Sequence, residues 1–232
     1  LVRAGMRTVQ TIGIPGAQAI EGEPDAIVVA QKTRTVPVAE AVAQSLAAFA
    51  WQRTGGARQF YFKYCSTFDS TDAGNIGPVA EALMEALGTR FTIACPAFPV
   101  NKRTIYLGHL FVGDVLLSDS PMRDHPLTPM RDSDLVRVLG RQARRPVGLV
   151  PWAVVGRGAD AIRAEFGRLT TAGVGHAIVD AIEDDDLMAI GAACRDLALV
   201  TGGSGIALGL PQNFRARGLL PDRADAAVLP RI

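Results

Sequence analysis

Cysteine and histidine are scarce in this chain, with three of each among its 232 residues. The cysteines are far apart and form no Cys-x-x-Cys pair, which argues against a disulfide framework and a structural zinc site and suits a reducing cytoplasm. No run of about 18 apolar residues is present, so we expect no membrane-spanning helix and no membrane partner. No amino-terminal signal peptide is visible either.

An excess of one charge sign is also missing. The formal net charge is +1, so there is no electrostatic footprint for nucleic acid or an anionic membrane surface. Hydrophobic residues make up 48% and charged residues 20% of the chain, which is ordinary for a packed protein. The length allows one large domain or two small ones.

Short apolar runs alternate with segments of helical periodicity along most of the chain. Such alternation predicts an α/β fold with a mainly parallel sheet, helices on both faces and hence three layers. We expect an irregular β insertion over residues 106–117 and a long polar loop over 118–130. The predicted strands are 8–12, 26–30, 60–62, 91–94, 147–155, 177–179 and 197–201, and the predicted helices are 38–51, 79–87, 132–140, 159–169, 184–194 and one from about 206.

Both ends of the chain look like places where a longer protein continues. Residues 1–6 have the pattern of a helix end with Gly5 as its carboxyl cap, yet no helix precedes them. Residues 211–232 contain three prolines and little periodicity, which predicts a linker.

Residues 63–78 form the segment with the richest chemistry. It follows an apolar run and precedes a helical pattern, so we expect a loop at the carboxyl end of a strand, where ligands of open α/β sheets bind. The loop contains Lys63, Ser66, Asp69 and, near the helix cap, Asn75. A lysine and a helix amino terminus favour an anionic ligand. The alternative is an ordinary βα turn, because Ser, Thr and Asp are common in turns and caps.

Three cations fall at the carboxyl ends of predicted strands, namely Lys32, Arg34 and Lys63. Together they could hold a carboxylate substrate. The alternative is ordinary solvated charge. His125 lies in the long polar loop before a proline, and it is a further candidate for ligand contact.

A glycine-rich turn, Gly202, Gly203, Ser204 and Gly205, follows the last predicted strand. Such a turn can bring an anion close to backbone amides, but it lacks the Lys-Ser/Thr ending of a P-loop. The alternative is a tight turn that requires positive φ angles.

A rival motif is Gly156–Ala161, which fits the loose dinucleotide pattern G-x-G-x-x-G/A, with Asp180 near the spacing of a ribose-binding acid. Pro151 in the preceding strand argues against it. His176 is expected to be structural. Cys65 is a conceivable nucleophile without an identifiable base.

Several of these segments together resemble the four-carbon acid sugar kinase family, and most closely its 3-oxo-tetronate kinase branch. The resemblance covers nearly the whole chain. It rests on residues 63–71, 74–78, 94–99, 108–117, 125–130 and 200–205.

The resemblance implies an ATP-dependent kinase that phosphorylates the terminal hydroxyl of a four-carbon 3-oxo acid. It implies two α/β domains with the active site between them, and ATP and Mg2+ bound mostly by the carboxyl-terminal domain. On this view Lys32, Arg34 and Lys63 hold the substrate carboxylate. Ser66, Asp69 and Asn75 bond its hydroxyl and keto groups, His125 is a further contact, and Gly202–Gly205 face the transferred phosphate. Whether the protein forms a homodimer is left open.

The chain departs from the family in two places. The family begins with an Asp-Asp-Phe-Thr-Gly-Ala segment, which should precede Leu1, and a nucleotide-binding domain should follow residue 232. We therefore predict an acid-sugar-binding domain over residues 1–210 without its first βα unit, a linker over 211–232, and little activity for this segment alone. A threonate or erythronate kinase, a dinucleotide-dependent oxidoreductase and a non-catalytic acid-binding domain are the alternatives.

Overall fold

A computed structural model describes residues 1–16 and 22–220. The strands of the described residues are β1 Thr8–Ile12, β2 Ala26–Ala30, β3 Phe60–Lys63, β4 Thr92–Cys95, β5 Arg103–Tyr106, β6 His109–Val112, β7 Val115–Leu116, β8 Val147–Val150, β9 His176–Val179 and β10 Leu199–Gly202. The larger sheet has five parallel strands in the order β3-β10-β4-β9-β8. The predicted α/β class is confirmed.

Helices flank the larger sheet on both sides. They are α1 Val38–Thr54, α2 Ile76–Leu87, α3 Leu135–Gln142, α4 Trp152–Val155, α5 Ala159–Thr171, α6 Asp184–Ala193 and α7 Pro211–Ala216. Helix α2 contacts α1 and α3, whereas α5 contacts α4 and α6. From β3 the chain crosses through α2 to β4 and continues to β8 at the far edge. It then returns through α5 to β9 and through α6 to β10. Because parallel crossovers are right-handed, these two groups lie on opposite faces.

The first two strands form a separate parallel sheet, β1-β2, which does not pair with the five-stranded sheet within the described residues. Ahead of β1, Val2–Ala4 form a short 3-10 helix that ends at Gly5 in the left-handed conformation. The helix end predicted at the start of the chain is thus confirmed.

The predicted β insertion is an antiparallel meander of β5, β6 and β7. Its first turn rests on Asp180, a fully buried carboxylate at the end of β9. Asp180 accepts hydrogen bonds from the backbone N–H groups of Leu107 and Gly108 at 2.7 and 2.9 Å. The insertion is therefore anchored to the carboxyl edge of the larger sheet.

Three predicted boundaries of strands and helices differ from those in the structure. The strand predicted over 147–155 stops at Val150, because Pro151 has no backbone N–H and instead precedes α4. Helix α3 begins one or two residues later than predicted, since the side chain of Asp134 accepts from Arg137 N and caps it. The helix predicted from residue 206 is only a 3-10 turn, Ile206–Leu208.

Part of the predicted linker is folded. Helix α7 docks on α6, where Asn213 Nδ2 donates to Gly191 O at 2.8 Å and Gln212 Nε2 donates to Met188 O at 2.9 Å. A segment of six residues is too short for its periodicity to predict a helix. The contacts with α6 stabilise α7. Residues 221–232 of the predicted linker lie outside the described residues, so the domain boundary stays a prediction.

The main core lies on both sides of the central strands. Every residue of β4, β9 and β10 is buried. A second apolar cluster, with Phe49, Phe60 and Met84 among its members, fills the space between α1, α2 and β3. No helix in the described part of the chain is long and apolar enough to cross a membrane.

Candidate functional site

Three chain segments meet at the carboxyl edge of the strands. Lys63 ends β3 opposite Gly202, which ends β10, and the segment after β2 approaches from the other side. A cavity of about 930 Å³ opens here. Five of the predicted site residues line it, namely Arg34, Lys63, Asp69, Asn75 and Ser204.

The loop after β3 has an unusual backbone. Phe68 and Asp69 have φ angles of 63° and 49°, a left-handed conformation that costs a non-glycine residue about 1–3 kcal/mol. Burial of the Phe68 side chain, whose ring meets that of Tyr64 edge to face at 5.5 Å, holds this turn in place. Such strain is typical of functional sites, and here it directs the Asp69 carboxylate toward Arg34.

Both carboxylate oxygens of Asp69 have partners. Oδ1 accepts from Thr67 Oγ1 at 2.5 Å, and Oδ2 accepts from Arg34 Nη1 at 2.8 Å. Asp69 is 5% exposed whereas the Arg34 side chain is 52% exposed. The buried acid therefore orients the guanidinium, and the exposed remainder of the guanidinium can bind an anion.

Asn75 joins the same two segments by a different route. Its Nδ2 lies within hydrogen-bond distance of the carbonyls of Thr33, Arg34 and Val36, at 2.8, 3.3 and 2.9 Å. The predicted contact of Asn75 with a ligand would compete with these bonds. The geometry instead gives Asn75 the role of holding the segment that carries Arg34.

Gln142, at the end of α3, has a supporting role that the sequence analysis missed. Its Nε2 donates to Ser70 Oγ at 3.0 Å and to Thr71 O at 2.6 Å, while its Oε1 accepts from Gly77 N at 3.0 Å. Gln142 thereby ties the loop to the first turn of α2. No local signal marks it, because its partners lie about seventy residues away in the chain. Thr67 was also missed, although it lies within the singled-out loop.

The glycine-rich turn is explained by close packing. None of Gly202, Gly203 and Gly205 has a positive φ angle, so the tight-turn explanation of the glycines is wrong. A Cβ at Gly203 would lie 2.6 Å from Pro96 O, and one at Gly202 or Gly205 would overlap the carbonyl of Cys95 or Ala97. The turn packs directly on residues 95–97, and its exposed residue is Ser204.

The other predicted site residues lie apart from the cavity lining. Lys32 is exposed and Ser66 half-buried, both in segments next to the lining. The ring of His125 faces its own loop, where its Nδ1 accepts from Thr128 N at 3.1 Å. Their roles in ligand binding stay predictions. Cys65 Sγ lies 3.0 Å from Thr67 Oγ1, a hydroxyl that is not a base.

The dinucleotide motif does not have its required setting. Helix α4 separates β8 from Gly156, so the glycines do not directly follow a strand. Asp180 also accepts from Trp152 N at 2.9 Å in addition to the two insertion amides. A fully buried acid with three backbone partners cannot bind a ribose.

Burial sets the protonation of several groups below the loop. It raises the pKa of Cys95 to about 12, so this thiol stays protonated at neutral pH. Burial also raises the pKa of Tyr61, whose hydroxyl donates to Gly203 O, well above its ordinary value. Among the described residues, no three His, Cys, Asp or Glu side chains converge as they would around a metal ion.

Comparison with known proteins adds a family match. Residues 1–210 match the model of a sugar-binding N-terminal domain. The 3-oxo-tetronate kinases of Cupriavidus necator and Burkholderia multivorans are 64% and 63% identical to the chain over its whole length. The chain spans about half the length of these relatives, 54% in both cases.

Solved structures agree in fold. A Haemophilus influenzae protein is 48% identical with a TM-score of 0.89, over 94% of this chain and 52% of its own. A Bordetella bronchiseptica protein, solved as a domain-swapped dimer with bound citrate, is 25% identical with a TM-score of 0.76, over 92% of this chain and 52% of its own.

Proposed function

The chain belongs to the family of sugar-binding N-terminal domains, and from that premise we propose that it is the substrate-binding half of an ATP-dependent acid-sugar kinase. The reaction is transfer of a phosphoryl group to the terminal hydroxyl of a 3-oxo-tetronate, which gives the 4-phosphate. The names of the relatives support this reaction. Because they are about twice as long, the proposed enzyme includes a second half beyond residues 1–232.

The observation that carries the proposal is the ion pair between Arg34 and Asp69 at the mouth of the cavity. A guanidinium held by one buried acid retains free N–H donors for a carboxylate. Lys32 and Lys63 are exposed nearby and make no hydrogen bond or ion pair through their ammonium groups with any described residue. They add positive charge at the same edge. The citrate in the Bordetella relative is compatible with a site for carboxylates.

In this mechanism the chain binds and orients the substrate. Arg34, with Lys63 and Lys32, holds the carboxylate, and Ser66, Ser204 and His125 are proposed contacts for its other oxygens. Asp69 and Asn75 act indirectly on the substrate. Their polar atoms already bond to Arg34 and its segment and fix their position. Phosphoryl transfer relies on such positioning and on charge stabilisation.

ATP and Mg2+ do not fit the described residues. Among the described residues no three acidic, histidine or cysteine side chains converge to hold a metal ion, and the glycines of residues 202–205 are used in packing against residues 95–97 at the end of β4. ATP supplies the transferred group when bound, and we assign its binding and that of Mg2+ to the other half of the protein. The free thiols of the three cysteines suit a cytoplasmic enzyme.

The test is a coupled ADP-release assay on the longer protein with 3-oxo-tetronate. Arg34→Met and Lys63→Met are each expected to raise KM by about 10–100-fold with little change in kcat, since a charged hydrogen bond contributes about 1.5–3 kcal/mol. Arg90→Met is the matched control. It removes an exposed cation just before β4, at the opposite edge of the sheet, and should leave KM unchanged.

Two outcomes would contradict the proposal. One is an unchanged KM in both variants, which would mean that Arg34 and Lys63 do not bind the substrate. The other is a longer protein that turns over no acid sugar. Threonate and erythronate belong in the same assay, because Lys32, Arg34 and Lys63 would bind the carboxylate that all three acids share. The Bordetella relative is a domain-swapped dimer, so we also propose a homodimer for the longer protein. Sedimentation tests this.

A further inference from the structure

Two threonine hydroxyls lie inside the five-stranded sheet, in strands β4 and β10, whose residues are all buried. Thr201 Oγ1, in β10, donates to Ile93 O in β4 at 2.7 Å. Thr92 Oγ1, in β4, donates back to Leu199 O in β10 at 2.9 Å. A buried hydroxyl is costly unless it is hydrogen-bonded, and these two bonds meet that requirement.

Thr201 differs from Thr92 in having a side chain as a second partner. The hydroxyl oxygen of Tyr64 lies 3.1 Å from Thr201 Oγ1. A threonine hydroxyl has one proton and a carbonyl can only accept, so Thr201 donates to Ile93 O and accepts from Tyr64. Burial raises the pKa of Tyr64 above its ordinary value, so the phenol keeps the proton that it donates. The direction of both bonds is thereby fixed.

Tyr64 is the first residue after β3 and begins the loop that contains Asp69. Its backbone N–H donates to Gly202 O at 3.0 Å, so its backbone and its hydroxyl are both bonded to β10. The ring of Tyr64 is therefore held at both ends. It meets the ring of Phe68 edge to face, with 5.5 Å between the two ring centroids. Phe68 thus packs against a surface that β10 fixes.

Phe68 in turn sets the direction of Asp69. The two residues are buried and consecutive, and both have a left-handed backbone. The N–H of Phe68 donates to Cys65 O at 3.1 Å, which closes the turn but does not determine how the turn lies on the sheet. The ring contact of Phe68 with Tyr64 does so. The position of the carboxylate that accepts from Arg34 Nη1 at 2.8 Å follows from it.

We propose that Thr201 is a positioning residue, which orients Arg34 for the substrate without touching either. The hydroxyl of Thr201 holds the ring of Tyr64, and that ring holds the turn that brings a carboxylate to Arg34. Tyr64, Phe68 and Asp69 line the cavity, whereas Thr201 lies below it in the sheet. This inference rests on the proposed function, because it takes Arg34 to bind the substrate carboxylate.

Thr92 provides a matched control inside the same sheet. Its side chain is as buried as that of Thr201, and its hydroxyl bond joins the same two strands. That bond lies at the amino ends of the strands, away from the loop. Valine keeps the branched shape at either position and removes the hydroxyl. Thr92→Val and Thr201→Val should therefore both lower the Tm of the longer protein, whereas the loop should respond to Thr201→Val alone.

The first test is the kinetics of the longer protein with 3-oxo-tetronate. Thr201→Val should raise KM by about 3–10-fold with little change in kcat, because a weaker hold on the carboxylate reduces binding of substrate and transition state alike. Thr201→Ser keeps the hydroxyl and should have a KM near that of the original chain. Thr92→Val should leave KM unchanged. Equal rises in the two valine variants, or no rise in Thr201→Val, would overturn the proposal.

Tyr64→Phe tests the same bond from its other end. It keeps the ring against Phe68 and removes only the donor, so it decides the matter even if Thr201→Val does not fold. Its KM should rise as much as that of Thr201→Val. The double variant should be no worse than Thr201→Val alone, because both substitutions break one bond. An unchanged KM in Tyr64→Phe, or rises that add in the double variant, would contradict the proposal.

Hydrogen exchange by NMR tests the positioning without any assumption about the substrate. The amide of Phe68 is bonded to Cys65 O within the turn. In the longer protein this amide should exchange about 10-fold faster in Thr201→Val than in Thr92→Val. Equal exchange in the two variants would overturn the proposal. Faster exchange in a longer protein that turns over no acid sugar would support the positioning of the turn and contradict the proposed function.

Discussion

The two parallel sheets of this chain differ in burial far more than in composition. In β4, β9 and β10 every residue is buried, whereas neither β1 nor β2 contains a buried residue. Yet β2 is as apolar as β9. The difference teaches that an apolar run makes a strand suitable for a core, while neighbouring strands and helices decide whether it is in one.

The largest contrast should come from the same substitution in both sheets. Ile93→Ala in β4 removes a fully buried side chain and should lower the free energy of unfolding by about 2–5 kcal/mol. Ile27→Ala in β2 should cost about 1 kcal/mol or less, because that side chain is only half-buried. Urea unfolding of residues 1–232 measures both. Equal losses would mean that the two sheets are packed alike.

A glycine substitution probes how tightly the carboxyl edge of the larger sheet is packed. Gly203→Ala places a Cβ 2.6 Å from Pro96 O and should lower the free energy of unfolding by about 1–3 kcal/mol. Gly140→Ala in α3 is the control. Its Cβ would meet nothing within 4 Å, and it should stabilise the helix by about 0.5–1 kcal/mol. If Gly203→Ala left thermal unfolding unchanged, the close approach of the two segments would be wrong.

Asn75 links the two regions, because its side-chain amide, just before α2, holds the segment that follows β2. Asn75→Ala should lower the free energy of unfolding by about 1–2 kcal/mol through loss of buried hydrogen bonds. It should also raise KM in the longer enzyme, since the backbone segment that carries Arg34 loses its bonds to Asn75. Gln44→Ala removes an exposed side-chain bond to Glu40 and should change stability by less than about 0.5 kcal/mol. A stable Asn75→Ala variant with normal KM would deny this link.

The smallest effect concerns a titratable group inside the larger sheet. Burial lowers the pKa of His176 below its ordinary value of 6.5, although Glu81 Oε1 lies 3.6 Å from its Nε2. Nearby Arg145 also lowers the pKa. The unfolded chain therefore takes up this proton first as pH falls. Stability is retained above pH 6.5 and is lost as pH decreases from there through the folded-state pKa.

The measurement is the free energy of unfolding between pH 7.5 and about 5, in the original chain and in His176→Gln. The variant should lose part of the slope below pH 6.5. An NMR titration of the His176 ring checks the cause directly, and a ring that titrates above 6.5 would contradict it.

The sequence predicted a large part of the fold because most strands and helices are marked locally. The apolar run of residues 60–62 and the spacing of residues 79–87 located β3 and α2 and placed a loop between them. That Lys63, Asp69 and Arg34 would lie at one edge followed from parallel pairing. The partners of these residues did not follow, since Gln142 and the carbonyls that bind Asn75 are distant in the chain or carry no side-chain signal.

Composition and periodicity by themselves determined the α/β class, the loop after β3 and the cationic residues at strand ends. The tertiary structure alone decided that Asp69 holds Arg34 and that the glycines of residues 202–205 serve close packing. It also decided that β2 stands at an open edge. The physical reason is that periodicity records which face of an element is apolar, whereas pairing and contact distance depend on segments brought together only by folding.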